Sequence, residues 1–147
     1  MRFISVSLSL LFATPVLAEH HEGEKAKIDG HDEFKKLTVK EASAMKAAGT
    51  ATMVDANGAE TRAKYGYVPG AVLLSDASSF DVVKELPAAK DRTLVFYCGG
   101  PKCEAAPSAA KRAKEAGYTN LAVMREGIRG WVSAGQAVEK PGDKPKG

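Results

Sequence analysis

Thr93-Leu94-Val95-Phe96-Tyr97-Cys98-Gly99-Gly100-Pro101-Lys102-Cys103-Glu104-Ala105-Ala106 is the stretch whose reading decides the fold. Its first five residues form a continuous apolar run of strand type. Residues 104–116 are alanine-rich and helical in pattern, and Gly117 ends them. Between the two lies a loop that carries both of the chain's cysteines. A strand that feeds a tight loop and then a helix is the unit from which parallel sheets are built. In such sheets, ligands bind where strand ends meet helix starts.

The alternation continues outward from this unit. Downstream, residues 121–124 are a further strand and residues 128–133 a last short helix. Upstream, Leu37-Thr38-Val39 is a short strand, and residues 40–48 are a helix with Ala42, Met45 and Ala48 on one face, stopped by Gly49. Residues 50–55 read as a buried strand that ends in the turn-forming Asn57-Gly58. A helical turn over 60–64 leads through Gly66-Tyr67-Val68-Pro69-Gly70 to a strand over 71–74. Residues 78–86 then read as a capped amphipathic helix with Phe80, Val83 and Leu86 inward. Strands alternating with helices predict an α/β fold, a mostly parallel central sheet with helices on both faces.

A length of 147 residues, 44% of them hydrophobic and 27% charged, suits one compact domain, which the pattern places at residues 34–138. The net charge of +3 is mild, and the basic residues are interspersed with 18 carboxylates, so no nucleic-acid partner is expected. Residues 1–18 read as a signal peptide. Arg2 supplies the positive start, an apolar run follows, and Val16-Leu17-Ala18 offers a cleavage site. The apolar run is shorter than the ~20 residues that cross a bilayer, so the mature form has no membrane span and is periplasmic or otherwise secreted. Residues 19–33 are a polar, disordered lead-in and residues 139–147 a disordered tail rich in Pro, Gly and Lys. Cleavage after Ala18 leaves Glu19-His20-His21 at the N-terminus. Such a start offers a square-planar set for Cu(II) or Ni(II), and it also reads as a plain solvated tail.

Export places Cys98 and Cys103 in an oxidising compartment. They are too close in sequence to staple distant segments, and a bond between them closes only a small loop. Gly99 and Gly100 let several backbone amides converge on one atom, and the following helix adds positive potential. A thiol at Cys98 is therefore expected to favour its thiolate, with Lys102 as a nearby cation for an anionic substrate. Pro101 removes one donor from the cradle. The domain implies no cofactor and no resident metal, since a zinc site needs more thiols and nearby histidines.

This run resembles the rhodanese-like family, whose hallmark is a strand, a cysteine opening a six-residue loop, and a helix. Met124-Arg125-Glu126-Gly127-Ile128-Arg129-Gly130-Trp131-Val132-Ser133-Ala134-Gly135 looks like the family's C-terminal signature. Gly66-Tyr67-Val68-Pro69-Gly70-Ala71 is similar to its Gly-His-Ile-Pro-Gly-Ala turn, and Asp55 falls at the aspartate of its Asp-Val-Arg motif. The matches run in order from Leu37 to Val138.

The resemblance implies a sulfurtransferase. A donor such as thiosulfate gives its outer sulfur to the cysteine, and a thiophilic acceptor, a small sulfur-containing anion or a protein thiol, takes it away. Carried over, Cys98 holds the persulfide, and Gly99, Gly100, Pro101, Lys102 and Cys103 form the substrate-binding loop. Asp55 supports the site structurally, and Trp131 is core. Two departures stand out: Cys103 replaces the Arg common at the sixth loop position, and Asn57 stands where the family often has an Arg. The loop looks like a Cys-x-Gly-Pro-x-Cys variant of the family. An Arg is also what a cysteine phosphatase would want in place of Cys103. Cys103 reads in three ways: a resolving thiol, a disulfide partner, or a buried apolar residue. Two function classes follow, an exported sulfurtransferase and a non-catalytic or redox-sensing module with a reversible Cys98 to Cys103 disulfide.

Overall fold

A computed structural model describes residues 33–143. The signal peptide, the Glu19-His20-His21 metal set and the last four residues lie outside the described residues. Five strands, β1 (Lys35–Leu37), β2 (Ala51–Asp55), β3 (Val72–Leu73), β4 (Thr93–Tyr97) and β5 (Leu121–Met124), form one sheet in the order β1-β5-β4-β2-β3. Every pairing is parallel. The helices are α1 (Val39–Ala47), α2 (Ala59–Tyr65), α3 (Val82–Glu85), α4 (Ala105–Glu115) and α5 (Gly127–Ser133).

The central strand β4 shows why its apolar run is unbroken. Leu94 and Phe96 bury into the core beneath α4, while Val95 and Tyr97 bury into the core beneath α1 and α5. Side chains alternate faces along a strand, so a strand covered on both sides needs apolar residues at every position. On α4, Ala106, Ala109, Ala110 and Ala113 form the buried stripe, and their small size lets the helix lie close to the sheet.

Three local expectations are corrected. The strand β1 ends at Leu37, because Thr38 caps α1: its hydroxyl accepts from the Glu41 amide at 3.2 Å while the Glu41 carboxylate accepts from the Thr38 amide at 2.8 Å. Val39 and Ala42 are the buried face of α1, Met45 is half-buried, and Ala48 is exposed at its C-cap. The expected helix over 78–86 shrinks to α3. Asp76 Oδ1 accepts from the amides and hydroxyls of Ser78 and Ser79 at 2.7–2.9 Å, and these local bonds hold the chain in a turn until Asp81 caps α3. Phe80 and Leu86 are buried as expected, but Val83 is 84% exposed. Beyond β5 and α5, Tyr67 and Glu139 exchange backbone hydrogen bonds of 2.8 and 2.9 Å, and Lys140 and Asp143 close a turn. Among the described residues no helix is long and apolar enough to cross a membrane.

The start of α5 is docked onto the loop that follows β4. The Ile128 amide donates to the Cys98 carbonyl at 2.7 Å, and the Arg129 amide donates to the Gly99 carbonyl at 3.4 Å. Gly127 makes this approach possible. Its φ is +64°, and a Cβ there would run into the Cys98 carbonyl and the Gly100 amide.

Two outcomes follow for stability. Phe80→Ala is expected to cost about 3–5 kcal/mol in urea denaturation, and Val83→Ser to stay within about 0.5 kcal/mol; a large Val83 effect would restore it to the core. Gly127→Ala is expected to cost about 2 kcal/mol or more, and more than Gly135→Ala, where φ is also positive but a Cβ meets nothing within 4 Å. Equal losses at the two glycines would remove the close approach as a constraint.

Candidate functional site

Cys98 is the first residue beyond β4, and its side chain joins the core on the α4 face, 3% exposed. The peptide plane that follows it sets the site's electrostatics. A trans peptide points its C=O and N–H in opposite directions. With the Cys98 carbonyl held by the Ile128 amide, the Gly99 N–H is turned the other way, toward the sulfurs. The loop then curls back through a turn in which the Cys103 amide donates to the Gly100 carbonyl at 3.0 Å. Glu104 opens α4 without a side-chain cap, so the first amides of the helix remain available. The Ala106 and Gly99 amides favour negative charge on the Cys98 sulfur, and the Gly99 and Ala105 amides favour it on that of Cys103. Pro107, in the first turn of α4, adds no N–H that would need a partner.

The Cys98 thiol donates to the Cys103 carbonyl at 3.4 Å, and Cys103 packs against the core cluster that holds Cys98. Both cysteines are free. Burial pushes the Cys98 thiol up to about 12, reinforced by the Cys103 hydrogen bond and only partly offset by the Ala106 and Gly99 amides. Burial acts in the same direction on Cys103. There the hydrogen bond from Cys98 and the amides of Gly99 and Ala105 outweigh it and leave the thiol below its usual value. The expectation of a resting thiolate at Cys98 is thus corrected. Of the two, the deeper sulfur holds its proton the more tightly.

The rim is built by two arginines that the sequence reading passed over. Arg125 Nη2 donates to the Pro101 carbonyl at 2.8 Å and meets Glu104 Oε1 at 3.3 Å. Arg129 Nε donates to the Gly99 carbonyl at 3.1 Å, and its guanidinium fills the space beside Gly100. Their i, i+4 spacing after β5 was the available signal. Pro101 and Lys102 are exposed at the turn.

Asp55, fully buried at the end of β2, serves the frame around the loop. Its Oδ1 accepts from the Asn57 amide at 2.7 Å and from Arg62 Nε at 3.2 Å, while Arg62 Nη2 reaches the Asp55 and Leu74 carbonyls at 3.1 and 2.9 Å. This ties β2 to the segment after β3. The Tyr97 hydroxyl, accepting from the Val68 amide at 2.9 Å, lies alongside; burial and then the Asp55 charge push its phenol up. Asn57 is 7% exposed and borders Gly99, so the position of the family's Arg does lie against the loop. Trp131 is core, with its indole N–H donating to the Ala137 carbonyl at 2.8 Å.

Residues 38–134 match the sequence model of the Rhodanese-like domain. The chain is 34% identical over 93 residues to the HTH-type transcriptional regulator Rv0324 of Mycobacterium tuberculosis, a match that covers 63% of this chain and 39% of that protein. The chain therefore spans well under half the length of that curated relative. In structure it is similar to the rhodanese-like domain of Alr3790 from Anabaena sp., with a TM-score of 0.60 at 18% identity over 76% of this chain and 85% of the other. It is also similar to the human single-domain sulfurtransferase TSTD1, with a TM-score of 0.53 at 23% identity over 67% of this chain and 95% of the other. Both likenesses are likenesses of fold. With a parallel sheet, a cysteine loop between its central strand and α4, and a family match over most of its length, this chain belongs to the rhodanese-like family.

Proposed function

We propose that this chain is an exported sulfurtransferase that carries sulfane sulfur as a Cys98 persulfide. It takes sulfur from thiosulfate or a similar donor and yields it to a thiophilic acceptor. The observation that carries this reading is the Cys98 sulfur at the end of the buried central strand, facing the Gly99 and Ala106 amides. Amides aimed at one atom stabilise negative charge there, on a thiolate and equally on a persulfide.

The resting Cys98 thiol must lose its proton to attack. The Gly99 and Ala106 amides lower the cost of that loss, since they favour the anion on Cys98. Cys98 then attacks the outer sulfur of thiosulfate, the sulfur–sulfur bond of the donor breaks, and sulfite leaves with the bond pair. Arg125 and Arg129 hold the loop carbonyls outward, which keeps the amides turned inward, and they add positive potential for an anionic donor. The leader-like residues 1–18 support export, and the periplasm is the compartment this reading implies.

A second reading has its own observation. The Cys98 thiol lies 3.4 Å from the Cys103 carbonyl, so the two cysteines are neighbours that oxidation can join, and the chain would then serve as a redox-sensing module. One assay separates the readings. Reduced protein mixed with thiosulfate is expected to release sulfite stoichiometrically, and Cys98→Ser to lower that release by at least roughly 10³-fold. A protein that releases no sulfite, yet forms the disulfide on mild oxidation, would be the redox module.

The thiol order gives a pH dependence. A lowered pKa means more thiolate at neutral pH, so Cys103 is expected to be alkylated first by iodoacetamide, with a midpoint below the ~8.5 of a free cysteine. The rate falls as pH drops through that midpoint. Cys98 should resist until far more alkaline pH, and peptide mapping that finds Cys98 labelled first would reverse the assignment.

A further inference from the structure

Resting on the persulfide reading, we propose that Cys103 resolves the Cys98 persulfide, so that the sulfane sulfur departs as hydrosulfide and the loop ends as a Cys98 to Cys103 disulfide. The partner this chain requires is then a dithiol reductant, and the product of its reaction is sulfide.

Access is the first argument. Cys98 is 3% exposed at the end of β4, and a protein thiol has little room to reach its sulfur from outside. Cys103 is already beside it, brought back by the turn closed from the Cys103 amide to the Gly100 carbonyl at 3.0 Å, with the Cys98 thiol 3.4 Å from the Cys103 carbonyl. A nucleophile held in place has an effective concentration that no dissolved acceptor attains. Cys103 is also half-buried rather than buried, so a reductant can engage it once the bond has formed.

The leaving group is the second argument. A persulfide has two sulfurs open to attack. Attack on the outer one would expel Cys98 as a thiolate, which its apolar surroundings oppose. Attack on Cys98 Sγ expels hydrosulfide, a weaker base that leaves into water. The Cys103 thiolate forms a bond to Sγ, the bond between Sγ and the outer sulfur breaks, and the bond pair and the persulfide proton go with the departing sulfur. The sulfane sulfur is reduced by two electrons, and the two cysteine sulfurs lose one each. The disulfide closes only a short loop, so it adds little stability and stays reducible.

The test uses reduced wild-type protein and thiosulfate under anaerobic conditions, with no added reductant. Sulfite and sulfide are expected in equal amounts, and intact mass should fall by two hydrogens. Cys103→Ser is expected to release sulfite, lose sulfide release, and gain one sulfur atom. A wild-type protein that releases sulfite but keeps the added sulfur, with no sulfide, would overturn the resolving role and leave the persulfide reading standing. Absence of sulfite from both proteins would overturn the persulfide reading and the resolving role together.

Discussion

The hydrogen bond from the Ile128 amide to the Cys98 carbonyl, 2.7 Å long, orients a single peptide plane on which the site depends. Turned one way, that plane sends its carbonyl toward α5 and its N–H toward the two sulfurs. Turned the other way, it would put a carbonyl lone pair against a buried sulfur and repel any negative charge there. A helix from the far end of the chain thus sets the polarity of a loop about thirty residues earlier. Gly127 is the condition for this contact, since no side chain fits between α5 and the loop. The side chains of Arg125 and Arg129 extend the same arrangement, holding further carbonyls on the outside.

Both faces of the sheet contribute to that geometry. The alanine stripe of α4 brings its first turn up to Cys98, while α1 and α5 seal the opposite face around Tyr97, Ile128 and Trp131. Glu126 links the two helices on that side, accepting from the first amide of α1 at 2.7 Å. Asp55 and Arg62 tie the end of β2 to the segment after β3, and the pairing of Asp55 with Tyr97 brings the C-termini of β2 and β4 to a common level.

Much of this was legible in the sequence where burial is two-sided. The run Thr93 to Tyr97 has one reading, because only a strand covered on both faces tolerates five such residues in a row. The family signature rests on glycines and a tryptophan that have geometric duties, and it marked α5 as well. Residues 78–86 misled because an apolar period carries no trace of Ser and Asp side chains bonding to their own backbone. Thr38 looked like a strand residue because its capping role depends on Glu41 three places later. Arg125 and Arg129 escaped notice because they act on carbonyls 24 and 30 residues distant. The thiol order was hidden for a related reason. Amides and helix potential can be inferred from a loop's composition, whereas the depth of Cys98 below the surface, which outweighs them, is a property of the packed chain.

The sheet's two borders carry one more consequence. Its outer strands are the three residues of β1 and the two of β3, while the longer strands β2, β4 and β5 lie inside. An open border of backbone donors and acceptors invites a second molecule to add its own strand, and a border this brief gives such an intruder almost nothing to hold. The all-parallel arrangement, slow to assemble from distant segments, is thereby guarded against the sticky association that unfinished sheets otherwise suffer.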